Sequence, residues 1–483
     1  MSDERLKKLF TEGVAAYRAG QFDRAATAWE DLLARTPDHL NALQLLGLLH
    51  YQRSRWREGE TCFRRVLQLR PDLAQSWFNL AKVTAAQGRW AEAEKLDREG
   101  LARQPNDARA MDHLGICLRE LGRLEEAEVA HRRATELDPK DPAPINNLGA
   151  VQLMLGQTMA AAGSFARAAE INPALAETHG NLGNAVREMM GASEAHAAFE
   201  RAVAVRPGYA LGWIGLLLNA QYHPDLSRAE KFLLHGRFAT WKRSEIGTWD
   251  TSLPPRPPGP RCHIGYVSSE LYQHAVAHFL WPIFRHHDRT RFEISVFANT
   301  YHEDAVTAGL RAGADHWHSI CGRSDAEATA LIRDCHVDII VDLNGHSGFS
   351  RLGIFARKAA PIQVTYLGYP DTTGLSEIDY RLTDDVADPP GQGDEFYAET
   401  LWRLPAPAWC YEPPSGAPPA AVAKPAHAPV VFGCFNNSAK LNVRLLGWWS
   451  EILRSLSDSR LVLKARTFSD PAVCAKVRKI FSD

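Results

Sequence analysis

The sequence lacks the features that mark secreted, membrane-spanning and strongly charged proteins. No stretch approaches the roughly 20 consecutive apolar residues that a transmembrane helix needs, and the charged start MSDERLKKLF lacks the apolar core of a secretory signal. The eight cysteines are scattered without a C-x-x-C pair, which is typical of reduced thiols. Fifty-five basic and 57 acidic residues leave a formal charge of −2, so neither nucleic acid nor an anionic membrane is indicated. We therefore predict a soluble cytoplasmic protein whose 483 residues suffice for about three domains.

The sequence instead contains a repeat of 34 residues. A proline recurs at this spacing as Pro37, Pro71, Pro105, Pro139, Pro173 and Pro207, a period typical of tetratricopeptide helix-turn-helix repeats. Small residues at the eighth and twentieth places of each repeat, counted from Leu6, suit a close crossing of its two helices. Turn glycines suit the left-handed end of a helix at Gly20, Gly88, Gly122 and Gly156. We predict an α-solenoid of six repeats over residues 6–209.

The sixth place of the repeats carries candidate residues for binding another chain. Asn79, Asn147 and Asn181 fall in register there, and His113 stands in the repeat between the first two. A side-chain amide can donate to a peptide carbonyl and accept from a peptide N–H. This ladder can therefore hold an extended protein or peptide along the concave groove of the array. The alternative is that these are ordinary polar residues on a solvated helix face.

Beyond the repeats, short apolar strands alternate with helices. Residues 210–257 predict a helical join that ends in the proline-rich stretch LPPRPPGP. Strands are predicted at HIGYVS, FEISVFA, VDIIVDLNG, IQVTYLGYP and DYRLTD within a domain at 258–405. Their alternation with helices favours a parallel sheet. A second proline-rich linker at 406–429 precedes a β-α-β-α segment at 430–483.

Polar residues follow several of these strands, where ligands collect in parallel sheets. His274 and His278 are four residues apart after the first strand, but no H-E-x-x-H motif or further ligand accompanies them. Substrate contact or a structural helix start is therefore favoured over a metal site. In the loop LGYPDTTG, glycine lets backbone N–H groups approach a phosphate or sugar oxygen. FNNSAK also leads from a strand into a helix, and Lys440 there suits a diphosphate.

Aspartates flank the strand VDIIVDLNG. Asp338 and Asp342 lie on the same side of a strand of period two, and a buried carboxylate there can have a raised pKa and relay a proton. The alternative is a structural or solvent-exposed carboxylate. The sequence has no GxGxxG motif, which argues against a redox dinucleotide. It also has no D-x-D pair to suggest a carboxylate-held Mg²⁺.

The chain resembles the protein O-linked N-acetylglucosaminyltransferase family of bacterial type. The resemblance covers nearly all of residues 6–470 and is carried behind the repeats by GYVSSELYQHAVAH, VDLNGHSG, APIQVTYLGYPDTTG, IDYRLTD, FYAETLWRLP and CFNNSAKLN. It implies a two-lobed GT-B glycosyltransferase that uses no cofactor and no metal. A serine or threonine hydroxyl of a protein attacks the anomeric carbon of UDP-N-acetylglucosamine with inversion, and UDP leaves.

The resemblance also implies roles for individual residues. His274 matches the active-site histidine, and Asp334 matches an aspartate proposed to pass on the acceptor proton. The donor-binding positions are Leu367, Gly368 and Pro370 on the sugar side and Asn437 and Lys440 on the UDP side. Three positions depart from the family. Asp338 stands where animal members have histidine, Asn437 replaces a common glutamine, and Ala439 replaces a tyrosine.

The largest departure from the family follows Lys440, where no histidine- and threonine-rich loop for the nucleotide occurs. Half of the second lobe is therefore present, and we expect either a chain truncated at its C-terminus or a degenerate member of the family. Three interpretations remain open. They are transfer of N-acetylglucosamine, transfer of fucose from GDP-fucose as in the related Spindly type, and a peptide-binding scaffold without catalytic activity.

Overall fold

The computed structural model of the protein describes residues 3–253, 259–405, 407–413, 416 and 429–482. They form two compact units, of which the first comprises Met1–Ala185 with Ala465–Asp483 and the second Val186–Lys464. The predicted proline-rich linkers at 253–260 and 406–429 lie mostly outside the described residues. Within the described ranges, no helix is both long and apolar enough to cross a bilayer.

Paired helices form the N-terminal part of the chain, as the 34-residue period predicts. They are α1 (Asp3–Arg18), α2 (Phe22–Leu33), α3 (Leu40–Gln52), α4 (Trp56–Leu69), α5 (Ala74–Ala86), α6 (Trp90–Arg103), α7 (Ala108–Glu120), α8 (Leu124–Leu137), α9 (Pro142–Met154), α10 (Thr158–Ile171), α11 (Ala176–Glu188) and α12 (Ala192–Val205). In the first five repeats the two helices pack against each other, and α2, α4, α6 and α8 also contact the helix that follows. Neighbouring repeats therefore share a core.

A close helix crossing explains the small residues at the eighth place. A Cβ atom added to Gly13 would lie 2.3 Å from Trp29 Nε1, and one added to Gly47 would lie 2.9 Å from the Phe63 ring. Both rings are fully buried, and both stand at the twenty-fourth place of their repeat. The predicted crossing is confirmed, because an aromatic ring of the second helix fills the space that the small residue leaves free.

The turn inside each repeat holds one residue in the left-handed region. Gly20, Gly88, Gly122 and Gly156 have φ between 73° and 77°. Ser54 takes the same place in the second repeat with φ 58°, and Met190 takes it in the sixth with φ 65°. The predicted turn geometry is confirmed at the four glycines, and the other two repeats adopt it without glycine.

A helical join and an α/β domain with a parallel sheet follow the repeats. The predicted join is formed by α13 (Ala210–Ala220) and α14 (Arg228–Ile246). The helices of the α/β domain are α15 (Ala275–His286), α16 (Ala305–Ala312), α17 (Asp325–Asp334) and α18 (Leu352–Phe355). The strands are β1 (Cys262–Ser268), β2 (Phe292–Ala298), β3 (His316–Ser319), β4 (Ile339–Asp342), β5 (Ile362–Thr365), β6 (Tyr380–Asp384) and β7 (Thr400–Leu404). Their order is β3-β2-β1-β4-β5-β6-β7, and every neighbouring pair is parallel. The predicted fold, a helical repeat array followed by a parallel α/β domain, is confirmed.

The two strands that the sequence does not predict are the edges of the sheet. None of the residues of β3 or β7 is fully buried, whereas β1 is buried along most of its length. An edge strand borders solvent, so it needs no run of apolar residues. The pattern that reveals central strands is therefore missing from both.

Helices cover both faces of the sheet. On one face Trp213 of α13 and Phe238 of α14 share a buried cluster with Ile340 of β4. On the other face Leu280 of α15 packs in a cluster with Ile294 of β2. The domain therefore has three layers, and the helical join belongs to its core.

The C-terminal segment follows the predicted β-α-β-α order. Its elements are β8 (Val431–Cys434), α19 (Val443–Ser455), β9 (Arg460–Leu463) and α20 (Pro471–Ser482), and the two strands pair in parallel. The segment does not form one unit, because Ala465–Asp483 belongs to the first compact unit. There Asp470 accepts a hydrogen bond from Met159 N (3.0 Å) at the start of α10. The boundary between the two units lies after Ala185, within the sixth repeat and not at its end.

Candidate active site

The chain changes direction across the sheet between β1 and β4. From β1 it runs outward to β2 and β3, and it then returns to β4 and continues towards β7. At such a switch point the loops after the two central strands diverge and leave a crevice at the carboxyl edge. The loops that follow β1 and β4 therefore border the same crevice.

Hydrogen bonds join these two loops. Ser269 N donates to Asn344 Oδ1 (2.9 Å), and Asn344 Nδ2 donates to Ser269 Oγ (2.8 Å) and Ser347 Oγ (3.0 Å). Asp342 at the end of β4 is 1% exposed. It accepts from two backbone N–H groups and from Thr365 Oγ1 (2.9 Å). Burial raises the pKa of Asp342 to about 6, despite these donors.

His274 stands at the end of the loop after β1. It is the residue before α15, so it does not share a helical face with His278. Its side chain is 36% exposed, and Nδ1 lies 3.4 Å from Glu270 Oε2. Burial lowers the pKa of His274. The imidazole is therefore neutral near pH 7 and can accept a proton.

Glu270 connects His274 to the loop network. Its Oε1 accepts a hydrogen bond from Ser347 Oγ (3.3 Å), and its side chain is 13% exposed. Burial raises the pKa of Glu270 to about 7, so the carboxyl changes charge near neutral pH. His274 Nδ1 also accepts a long hydrogen bond from Val276 N (3.4 Å), so this backbone N–H and Glu270 compete for the same nitrogen. An ionised Glu270 favours the tautomer with the proton on Nδ1, which leaves Nε2 able to accept another.

The loop after β5 has a strained backbone. Leu367 has φ 70°, and Gly368 N donates to Tyr366 O (3.0 Å), which makes a γ-turn with a left-handed central residue. A Cβ atom added to Gly368 would lie 2.1 Å from Leu343 O. Packing against the loop after β4 thus requires this glycine, a role that the sequence does not reveal. Leu367 and Gly368 are half-buried and Pro370 is exposed.

Two polar side chains near this loop are structural. His346 is 1% exposed and hydrogen-bonds through Nε2 to Thr373 O (2.9 Å), and burial lowers its pKa. Tyr369 Oη donates to Leu217 O (2.9 Å) and lies 2.9 Å from His235 Nε2. The Tyr369 contacts fasten the loop after β5 to the helical join, and the His346 contact fastens it to the loop after β4.

Asp334 and Asp338 lie at the opposite, amino edge of the sheet. Asp338 precedes β4 and accepts a hydrogen bond from His263 N (2.7 Å) near the start of β1. Asp334 is the exposed last residue of α17. A strand of seven residues, the length of β1, spans roughly 20 Å. The structure therefore does not bring Asp334 to His274, and Asp338 does not share the crevice with Asp342.

Asn437 and Lys440 belong to the separate sheet of β8 and β9. Asn437 accepts from Ala439 N (3.0 Å) at the start of the 3-10 turn Ser438–Lys440, and Lys440 is exposed. The helix α19 begins only at Val443 and is capped by Asn442. The predicted helix is present as α19, but a short turn separates it from the strand, and Lys440 lies in this turn and not at the N-terminus of α19.

In the first unit, Asn79, Asn147 and Asn181 lie in equivalent positions on α5, α9 and α11. Each already has a partner inside the array. Asn79 Oδ1 accepts from Gln75 Nε2 (3.1 Å), Asn147 Nδ2 donates to Asp112, and Asn181 Nδ2 donates to Asn146 Oδ1 (3.2 Å). Asn147 and Asn181 are half-buried and Asn79 is 8% exposed.

Comparison with known proteins decides the family. Residues 250–409 match the family described as Glycosyl transferase family 41, and residues 10–56 and 72–140 match tetratricopeptide repeats. The solved structure of an O-GlcNAc transferase mutant from Thermobaculum terrenum is 32% identical, with a TM-score of 0.67 over 78% of this chain and 71% of that chain. The chain belongs to glycosyltransferase family 41. The resemblance seen in the sequence is thereby confirmed.

Two plant proteins show how much of a family 41 relative the chain covers. The probable UDP-N-acetylglucosamine--peptide N-acetylglucosaminyltransferase SPINDLY of Solanum lycopersicum is 38% identical over 239 residues, which is 48% of this chain and 25% of that protein. The corresponding SEC protein of Arabidopsis thaliana is 30% identical over 216 residues, 42% of this chain and 22% of that protein. The family 41 chain thus spans about a quarter of the length of these curated relatives.

Glu270 is the residue of this family 41 site that the sequence does not predict. The signal was available, because Glu270 precedes His274 by four residues in the loop after a buried strand. Glutamate is common on protein surfaces, so only its burial beside His274 distinguishes it.

Proposed function

We propose that this family 41 chain transfers N-acetylglucosamine from UDP-N-acetylglucosamine to serine or threonine hydroxyls of proteins, with inversion at the anomeric carbon. The observation that carries the proposal is the His274–Glu270 pair at the switch point of the sheet. A neutral, accessible imidazole beside a buried carboxyl is suited to accept a hydroxyl proton. The names of the SPINDLY and SEC relatives, both probable UDP-N-acetylglucosamine--peptide N-acetylglucosaminyltransferases, support this donor.

In the proposed reaction, the acceptor oxygen bonds to the anomeric carbon while the bond from that carbon to UDP breaks. The hydroxyl proton passes to His274 Nε2, and Glu270 positions the ring through Nδ1. Asp334 lies at the other edge of the sheet, so the proposal gives it no direct contact with the hydroxyl. No metal ion or cofactor is required in this scheme.

The donor and acceptor contacts complete the proposal. Leu367, Gly368 and Pro370 are placed beside the sugar, and Asn437 and Lys440 beside the diphosphate. An exposed lysine is suited to meet the charge that develops on the leaving diphosphate. The groove of the repeats presents the acceptor. Asn79 contacts its backbone through Nδ2, and Asn147 and Asn181 through Oδ1, the amide atoms for which the described residues show no hydrogen bond within the array.

A matched pair of histidine variants tests the role of His274. In the full-length protein, with UDP-N-acetylglucosamine and a serine-containing peptide, His274→Ala should lower kcat by roughly 10²–10⁴-fold, the usual contribution of a general base. The donor KM should change little. His278→Ala, four residues away on α15, is the control and should retain near-normal activity. A His274→Ala protein as active as the wild type would refute the role of His274.

A donor screen separates the alternatives. UDP-N-acetylglucosamine should support transfer, and Lys440→Ala should weaken UDP binding in calorimetry. Turnover with GDP-fucose but not with UDP-N-acetylglucosamine would contradict the proposed donor. If neither donor supported turnover while peptides still bound the repeats, the chain would be a scaffold.

A further inference from the structure

A buried carboxylate replaces an aromatic ring at one core position of the repeats. The twenty-fourth place is filled by Trp29, Phe63, Asp97, His131, Phe165 and Phe199 in the six repeats, and each is at most 1% exposed. Burying a charged group is strongly unfavourable unless it is paired. Asp97 Oδ1 has no hydrogen-bond partner within the described residues. The third repeat therefore keeps an unsatisfied carboxylate oxygen where its neighbours bury a ring or an imidazole.

Two further ligand types face Asp97 from the next repeat. Asp97 Oδ2 lies 2.7 Å from His113 Nδ1 and 3.7 Å from Cys117 Sγ, and Sγ lies 3.9 Å from Nδ1. In tetrahedral zinc coordination, bond lengths of about 2.0–2.3 Å place ligand atoms about 3.3–3.6 Å apart. Sub-ångström shifts of the side chains would admit the ion. In the part of the chain that the structure describes, no other group of His, Cys, Asp or Glu meets this ligand geometry.

We propose that Asp97, His113 and Cys117 bind a thiophilic divalent cation such as Zn²⁺ between the third and fourth repeats. The Cys117 thiol loses its proton to solvent when the metal–sulfur bond forms, and the imidazole proton of His113 moves from Nδ1 to Nε2. Three protein ligands leave the fourth tetrahedral position for water. His113, whose side chain is 15% exposed, offers the path of entry.

The bound cation links α6 to α7 and so joins two adjacent repeats. Such a link stabilises the folded array, because the site does not exist in the unfolded chain. It is independent of the transferase site proposed above, which uses none of these residues. Failure of one proposal therefore leaves the other standing.

The test uses the full-length protein freed of metal with a chelator, together with Zn²⁺ or Co²⁺ as the probe. Calorimetry should show one cation bound per chain, Zn²⁺ should raise Tm, and Co²⁺ should produce a thiolate-to-metal charge-transfer band. His113→Asn is the cleanest variant, because asparagine occupies the same place at Asn79, Asn147 and Asn181. It should lose the stoichiometric binding and the rise in Tm, and Cys117→Ser should also lose the band.

Cys62→Ser is the control, because Cys62 is a buried cysteine on α4 in the second repeat. It should leave both cation binding and the charge-transfer band unchanged. The proposal is overturned if the wild-type protein binds no stoichiometric cation. It is equally overturned if His113→Asn binds the cation as tightly as the wild type, or if the Co²⁺ band survives Cys117→Ser.

Discussion

At the scale of single residues, burial sets the chemistry of the candidate site. Desolvation raises the pKa of Glu270 to about 7 and that of Asp342 to about 6. Neither carboxyl forms an ion pair with lysine or arginine among the described residues. Their ionisation is therefore coupled to folding, and for Glu270 it also affects the tautomer of His274.

Replacing Glu270 should change how stability depends on pH. The pKa of Glu270 lies above its ordinary value of 4.5, so the protonated side chain is the one that the fold favours. The stabilisation of the folded protein by this protonated carboxyl is fully present below about pH 4.5 and is lost as pH rises through about 7. Glu270→Gln stays neutral, so its Tm relative to the wild type should increase from pH 5 to pH 8. Glu395→Gln, at an exposed site, should show no such trend, and a parallel trend in both variants would contradict the assignment.

At the scale of elements, the turn inside each repeat needs a left-handed backbone conformation, and two of the six repeats form it with a residue that disfavours this conformation. All six intra-repeat turns need a left-handed residue, and Ser54 supplies it in the second repeat. A left-handed conformation costs a residue with a Cβ atom roughly 1–2 kcal/mol relative to glycine. Part of this difference is offset by the greater freedom of glycine in the unfolded chain.

We therefore expect Ser54→Gly to stabilise the protein. The free energy of unfolding should rise by about 0.5–1 kcal/mol, measured by urea denaturation. Gly88→Ser places the opposite change at the same place of the next repeat, where an added Cβ meets nothing within 4 Å. That variant should lose a comparable amount. Stabilisation by both substitutions, or by neither, would show that backbone conformation does not control stability at this place.

At the scale of the whole molecule, the helical join and the sheet domain act as one body within the second unit. Tyr369 makes the connection, because its hydroxyl contacts Leu217 O, His235 Nε2 and Gln221 Nε2, each at 2.9 Å. The loop that contains Leu367 and Pro370 is thereby fixed to α13 and α14 rather than to the sheet alone.

Removing this one hydroxyl should both destabilise the protein and disturb the loop. Tyr369→Phe leaves buried polar groups without a partner, so unfolding should become easier by about 1–3 kcal/mol. Donor KM should rise more than kcat falls, because the loop lies on the proposed sugar side. Tyr380→Phe is the control, since Tyr380 makes a ring contact with Trp402 and its hydroxyl makes no hydrogen bond within the described ranges. Unchanged stability in Tyr369→Phe would show that the hydroxyl does not hold the loop.

The sequence alone established the repeat array, the five central strands with their helices, and the polar residues after those strands, His274 among them. These follow from local patterns, namely a 34-residue period, buried central strands and polar residues after them. Only the tertiary structure decided which polar residues meet. It placed Glu270 beside His274, left Asp334 at the opposite edge, and brought Asp97 to His113 and Cys117. The physical reason is that strand order and helix packing depend on contacts between distant residues, and a local pattern does not specify these.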